Sequence, residues 1–490
     1  MMTRRAVFLL AVLAALSLGG YLWASRVTFR LGFPLDDAWI HQTYARNLVE
    51  RGEWAFVPGQ PSAGSTAPLW SALLAVGQAF GWGPLGWAFV LGWAALLGLA
   101  VLGGVGLAAF EAGTARFGVW AGAFLALEWH LVWAAGSGME TLPYALLVTL
   151  VLVWLAAGWG RWFWLGAVIG LLGWVRPDGV TLLAPAGVGV LLFAAGQPGW
   201  GGRLRAGVAL GLGFALFFVP YLGFNWMLAG EVWPNTFFAK QAEYAVLRER
   251  FFGARLLAEL RLPLVGAGAL LLPGVVWLGV QAWRARRWVV LAGMGWWLGY
   301  AGLYAWRLPV TYQHGRYLMP AMPVFFLWGL AGMWGWTRGW RVGVGPRVLA
   351  RAWPLSVGVV LLVFWGLGAR SYALDVAVIE SEMVETARWV AENTEADALI
   401  AAHDIGALGY FGGREIVDLA GLVSPEVIAF IRDEARLAAY LDRRGAAYLV
   451  TLEGWYPSLE AAAEMVYRTE GEFSPALGGA NMVVYQWGMR

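Results

Sequence analysis

The chain has 490 residues, of which 60% are hydrophobic and only 13% charged, and its formal net charge is +3. Soluble domains are about half apolar and a quarter charged, so this composition excludes a soluble fold of this size as well as a disordered chain. Cysteine is absent, which removes thiolate metal sites, cysteine nucleophiles, disulfide scaffolds and redox chemistry, and what remains is a polytopic membrane protein.

Apolar runs of about 20 residues cross a bilayer as helices. Eleven are legible, over 6–24, 84–110, 117–135, 142–158, 162–174, 179–197, 206–229, 262–281, 288–306, 316–337 and 353–370. Met1–Ala24 lacks a small-x-small cleavage site and reads as an uncleaved first span. The run APLWSALLAVGQAFG over 67–81 is too short to cross and reads as a helix lying in the interface.

Charge sets the orientation, because cytoplasmic loops collect Lys and Arg near span ends. With eleven spans and the N-terminus inside, one side receives Arg4, Arg5, Arg116, Arg161, Arg203, Arg205, Arg284, Arg286, Arg287, Arg338, Arg341, Arg347 and Arg351, against one acid, Glu111. The first loop (25–83) and the tail then lie outside the cytoplasm. The basic excess is therefore an arginine-rich membrane face and no argument for nucleic acid.

The fold class expected is an α-helical polytopic membrane module over 1–370, followed by an extracytoplasmic α/β domain over 371–490. That tail holds 19 of the 31 acids and 8 of the 34 bases. Ala398–Ala402, Glu415–Ala420, Tyr448–Leu452 and Met482–Trp487 read as strands, and Glu380–Glu392 and Pro425–Tyr440 as helices. No internal repeat is visible.

In the first loop Asp36 and Asp37 open a helix whose Ile40, Tyr44 and Leu48 share one face, suited to a membrane surface, with Asp37 and His41 pointing the other way. Adjacent carboxylates there fit either a helix cap or a catalytic base with a second acid that orients it or holds a cation. Other polar clusters stand at span ends: Glu140 in Ser137–Thr141, Arg176 in Trp174–Asp178, Asn235 and Lys240 in Trp233–Lys240, and His314, Arg316 and Tyr317 in Gln313–Tyr317. Each also fits a turn with a snorkelling cation. Lys240 is the single lysine of the chain. A composition that uses arginine elsewhere keeps a lysine where a compact ammonium is needed, as in neutralising a phosphate. Glu128 and His130 fall inside the third run, lining a pocket or bonding to helix neighbours. His403 and Asp404 stand where a strand of the tail ends.

The run DDAWIHQTYARNLVERGEWAFVPG followed by STAPLW resembles the first outer loop of GT-C glycosyltransferases. The likeness continues in order through SGMETLPYALL, WVRPDGVTLLAP, VWPNTFFAK, HGRYLMPAMP and AHDIGALGYFGGREIVDLAGLVSP, from about Asp36 to Pro425. The branch it is most similar to holds bacterial arabinofuranosyltransferase-like proteins, which often carry Tyr where this chain has Trp39 and Phe238.

The resemblance implies a GT-C fold and an inverting transfer of a sugar, arabinofuranose or a related one, from a polyprenyl-phosphate donor to a hydroxyl of a cell-envelope glycan or lipid. It points to Asp36 and Asp37 as the acidic pair, with Asp36 as base, and puts Lys240 and Arg316 near the donor phosphate; His314 and Arg176 are further candidates for that phosphate. His41, Glu140, Asn235, Tyr317, His403 and Asp404 are candidate substrate contacts. Asp36 and Asp37 are also candidate ligands for a divalent cation (Mg, Mn or Ca). The expected location is a bacterial or archaeal cytoplasmic membrane with the site on the outer face. A lipid-linked sugar transporter or flippase is the rival reading, although no paired halves are visible.

Overall fold

The computed structural model describes residues 2–193, 200–339 and 343–488. Arg341 and the end of the run at 179–197 lie outside the described residues. Over its described residues each apolar run is helical for most of its length, because in hydrocarbon each backbone N–H and C=O must find its partner within the segment. The helices are α1 (Arg4–Thr28), α2 (Asp37–Arg51), α3 (Pro68–Ala79), α4 (Pro84–Phe110), α5 (Gly118–Leu127), α6 (Trp129–Gly136), α7 (Thr141–Ala157), α8 (Trp162–Val175), α9 (Leu183–Phe193), α10 (Trp200–Ala229), α11 (Asn235–Glu243), α12 (Phe252–Arg261), α13 (Leu272–Arg284), α14 (Trp288–Arg307), α15 (Met322–Thr337) and α16 (Val344–Ile379). Among the described residues five helices are long and apolar enough to cross a membrane, or seven if each of two bent pairs is one span. The helices over 141–157, 162–175 and 177–192 are apolar but shorter.

The bends have local causes. Between α5 and α6 the axis turns by 56° at Glu128, whose extended backbone ends one helix and whose carboxylate caps the next, accepting the Leu131 N–H at 3.2 Å. Its other oxygen lies 2.8 Å from His130 Nδ1. These two buried polar residues are thus a cap and its neighbour. The 92° bend between 252–264 and 267–284 falls at Gly266, whose φ of +100° a side chain would strain.

In the first loop α2 does not lie on a membrane surface with one polar face. Ala38 to Ala45 are all buried, His41 included, because α3 packs on one side of the helix and the C-terminal sheet region on the other. A short hairpin, β1 (Ala55–Val57) and β2 (Gln60–Pro61), follows α2, and Asn47 donates from the helix to the carbonyls of Ala55 and Phe56 at 2.9 and 3.0 Å.

The expected boundary at 371 falls inside α16, which runs unbroken to Ile379, makes one π-helical turn (Glu380–Val384) and continues as α17 (Glu385–Asn393). Beyond it stands a five-stranded sheet of β3 (Leu399–Ala402), β4 (Glu415–Asp418), β5 (Tyr448–Leu452), β6 (Glu464–Arg468) and β7 (Met482–Gln486), ordered β4-β3-β5-β7-β6. β3 runs parallel to both β4 and β5; β7 is antiparallel to β5 and β6. Four of these strands match apolar runs. The exposed edge strand β6 has none, which is why it escapes a reading based on hydropathy. The helix expected over Pro425–Tyr440 divides into a 3-10 turn (Pro425–Phe430) and α18 (Glu434–Arg444), because the Asp433 carboxylate accepts the Arg436 N–H at 3.1 Å and starts a new helix.

The sheet region is tied to the first loop. Arg46 of α2 donates to the carbonyls of Tyr410 and Gly409 at 2.5 and 2.9 Å, and Arg30 reaches Glu385 at 3.0 Å.

Candidate active site

A cavity of about 340 Å³ opens where α2, α11, α14 and the segments after α6, α8 and before α15 meet. Its polar wall carries the cations Arg176, Lys240, Arg307 and Arg316 beside Asp37, Glu140 and Asp178, and its apolar wall includes Trp233, Pro234, Phe237, Leu303 and Leu308.

Asp37 is the first residue of α2. Its Oδ2 lies 2.5 Å from Arg316 Nη1 and 3.7 Å from Lys240 Nζ. Arg316 is turned inward by three consecutive left-handed residues, Gln313, His314 and Gly315 (φ +53°, +58° and +68°), two of which bear side chains. Such strain persists only where the surroundings hold it. Lys240 stands on the last turn of α11. The Tyr317 hydroxyl accepts from both cations, at 3.2 Å from Lys240 Nζ and 3.2 Å from Arg316 Nη2.

A second layer adjoins this one. Arg176 packs against the rings of Tyr144 and Tyr317, 5.7 and 5.3 Å from their centroids, and donates to the Tyr304 hydroxyl at 3.2 Å. Its guanidinium is 3.6 Å from Glu140 and 3.5 Å from Asp178. Tyr300 and Tyr304 donate to Asp178 at 2.5 and 2.7 Å. His41 extends the chain on the other side, with Nε2 3.6 Å from Glu140 and Nδ1 2.8 Å from the Ser71 hydroxyl.

Asp36 behaves differently from its neighbour. It makes no capping bond within α2, so the capping reading fails for it. Its carboxylate instead crosses to the sheet region and accepts the N–H of Gly406 at 2.6 Å and of Ala407 at 2.8 Å. It is not among the residues that line the cavity.

The two acids are correspondingly split in basicity. Burial works against charge on Asp37, but Lys240 and Arg316 outweigh it and hold its carboxyl well below the usual range. Burial and the adjacent Asp404 carboxylate push Asp36 up to about 7, against the pull of the Ala407 and Gly406 amides. Asp404 is raised too, chiefly by burial. Burial lowers His41 and favours its neutral form. It opposes charge on Lys240 as well, yet Asp37 holds the ammonium protonated. His403 is raised to about 9, since Glu243 and Asp404 outweigh the cost of burial.

Of the residues singled out in the sequence, the cavity gathers Asp37, Glu140, Arg176, Lys240, Arg316 and Tyr317, with His41 one contact away. Five are not brought there: Asp36 and Asp404 do not line the cavity, and three others point elsewhere. His314 points back to Asp375 of α16, 2.7 Å from its Oδ2, between the rings of Trp129 and Trp133. Asn235 donates to the Leu422 carbonyl at 3.4 Å. His403 is held by Tyr456 and Glu243, at 2.7 and 3.3 Å. Arg307, Asp178 and Tyr304 belong to the cavity and were not singled out. The signal was available: Arg307 closes the run at 288–306, and Asp178 stands in the same WVRPDG segment as Arg176.

The donor set does not suit a divalent ion held by Asp36 and Asp37. Arg316 and Lys240 already face the Asp37 carboxylate, two amides hold Asp36, and among the described residues no group of three or more His, Asp and Glu gathers to bind a metal.

A family model described as a domain of unknown function (DUF8728) matches residues 374–485. No curated protein matches the chain. Among solved structures, ArnT from Cupriavidus metallidurans in the apo state is 16% identical over 97% of this chain and 97% of its own, with a TM-score of 0.56. The same protein bound to undecaprenyl phosphate gives 16%, 97% and 97%, with a TM-score of 0.53. The archaeal oligosaccharyltransferase AglB from Archaeoglobus fulgidus, in complex with an inhibitory peptide and a dolichol-phosphate, is 13% identical over 94% of this chain and 72% of its own, with a TM-score of 0.61. At these identities the likeness is one of fold.

Proposed function

We propose, from the GT-C fold shared with ArnT and AglB, that this chain is an inverting membrane glycosyltransferase that moves a sugar from a polyprenyl-phosphate donor to an acceptor hydroxyl. The observation that carries the reading is the two-sided cavity: four cations on one wall, an apolar wall of Trp233, Phe237 and Leu303 on the other, and Asp37 between them. A lipid phosphate has that same division. Solved structures of this fold bound to undecaprenyl phosphate and dolichol-phosphate support it. The sugar in this reading is arabinofuranose or a related one, and the acceptor a cell-envelope glycan or lipid. In this reading the chain crosses the cytoplasmic membrane eleven times, with the cavity and the sheet region outside the cytoplasm, which the thirteen basic residues on the opposite loops favour.

In this mechanism the acceptor hydroxyl gives its proton to Asp36 as its oxygen bonds to the anomeric carbon. The bond from that carbon to the phosphate oxygen breaks on the opposite face, and polyprenyl phosphate leaves with its charge met by Lys240, Arg316 and Arg176. Asp37 keeps the cations aimed.

The test is incubation of the reconstituted protein with radiolabelled decaprenyl-phosphoryl arabinofuranose. Release of decaprenyl phosphate with transfer of label to an acceptor or to water is expected. Movement of intact donor between leaflets without bond cleavage would instead make the protein a flippase.

Two further outcomes follow from the geometry. Because a base must be unprotonated and Asp36 sits near 7, kcat should climb as pH rises through about 7 and flatten above, where an ordinary carboxylate would leave it flat from about pH 5 upward. A kcat profile over pH 5–9 reads this. Lys240→Arg keeps the charge, but Nζ lies between Asp37 and Tyr317, which Arg316 already engages. A planar fork cannot reproduce the compact ammonium's placement between those two partners, and turnover should fall by about tenfold or more in the same assay.

A further inference from the structure

We propose that the turn 404–407 at the end of β3 is a working part of the catalytic site: the C-terminal sheet region reaches the first loop to aim the Asp36 carboxylate, with Asp404 as a positioning residue beside it. This rests on the reading of Asp36 as the base.

Both oxygens of Asp36 are engaged by main-chain donors some 370 positions along the chain, Gly406 N–H on Oδ2 at 2.6 Å and Ala407 N–H on Oδ1 at 2.8 Å. The approach is so close that a Cβ on residue 406 would stand 2.0 Å from the Asp36 carbonyl oxygen and 2.7 Å from Oδ2, so glycine is required there. The grip is reinforced from the other direction, since Arg46 of α2 holds the carbonyls of Gly409 and Tyr410 in the following residues. Amides aimed at a carboxylate favour its charged form and fix its plane, leaving the remaining lone pairs for an incoming hydroxyl.

The charged surroundings are asymmetric. From the sheet region Asp404 faces Asp36, and from its own helix Asp37 does, itself neutralised by Lys240 and Arg316. Asp404 is in turn faced by His403 and Glu243. The amides and Asp404 therefore act on Asp36 in opposite senses: the amides make it a weaker base and Asp404 a stronger one.

Carbodiimide reacts with a carboxyl only when it is protonated, so labelling of Asp36 against pH, mapped by peptide mass spectrometry on the full chain in nanodiscs, reads its titration without any donor. Ala407→Pro removes one N–H at a φ of −63° that proline adopts unstrained. It should move the labelling midpoint up by about one pH unit. Asp404→Asn removes the like charge and should move it down by a similar amount, while Ala407→Ser, which keeps its N–H, should not move it. Midpoints that stay put, or that shift in the same direction in Ala407→Pro and Asp404→Asn, overturn the proposal. If Ala407→Pro does not fold, the downward shift in Asp404→Asn decides alone. Failure of the underlying reading looks different: sugar transfer surviving in Asp36→Asn would remove the base and leave the labelling shifts intact.

Discussion

The Asp36→Asn variant should transfer sugar about 10²–10⁴-fold more slowly than the parent, the usual contribution of a positioned base, while binding the lipid phosphate as before. The two halves of this expectation rest on separate observations. Loss of rate follows because the amide has no proton affinity near neutral pH. Retention of binding follows because Asp36 lies outside the cavity lining, whereas the cations that would meet a phosphate are held by Asp37, Tyr317 and Glu140. The substitution is not silent locally. An Asn side chain has one oxygen where Asp36 has two, so its NH₂ must face the N–H of Gly406 or Ala407 and one hydrogen bond is lost. A small fall in melting temperature is expected from that alone. Measuring kcat beside the Kd for decaprenyl phosphate separates the effects. Turnover within threefold of the parent would remove Asp36 from the chemistry.

Hydropathy is a sufficient guide to this fold where the solvent dictates the structure. Over its described residues each apolar run is mostly helix, since hydrocarbon leaves the backbone no other partner. What hydropathy does not carry is where such a run bends. The third run is continuous in composition, yet one Glu128 carboxylate ends α5 and starts α6. The same limit explains α2. The i, i+4, i+8 pattern of Ile40, Tyr44 and Leu48 identifies an apolar face, but the opposite face is buried too, under a sheet region whose chain position is some 370 residues away. No local pattern encodes that contact.

The site divides along the same line. Lys240 was legible from composition, as a residue type retained once, and it stands in the cavity. The aspartate pair was legible as a pair, but the division of roles within it was not, because it arises from partners contributed by Arg316 on one side and Gly406 and Ala407 on the other. His314 shows the converse error. It is two residues from Arg316, but the left-handed turn that brings Arg316 inward turns the imidazole away to Asp375.

Arg316→Ala should be the most damaging change among the cavity cations. The side chain is only 8% exposed, and its fork does two things at once: Nη1 meets Asp37 at 2.5 Å and Nη2 donates to the Tyr317 hydroxyl. Removing it takes away one cation from the departing phosphate, which commonly costs about 10²–10³ in rate. It also leaves Asp37 with Lys240 alone, at 3.7 Å, so that the ammonium is drawn toward the carboxylate and away from the ligand. Arg316→Lys should recover only part of the loss, because a single ammonium replaces a fork whose Nη1 and Nη2 hold Asp37 and Tyr317 separately. The companion variant Asp37→Asn separates the two consequences. With its charge gone, Lys240 and Arg316 have no internal anion to satisfy, and the protein should bind decaprenyl phosphate more tightly while releasing it more slowly. In the double variant the two effects should not add, and a coupling of about 0.5–3 kcal/mol is the expected signature of residues in direct contact. Additive losses would mean that Asp37 and Arg316 act on the ligand independently despite their 2.5 Å contact.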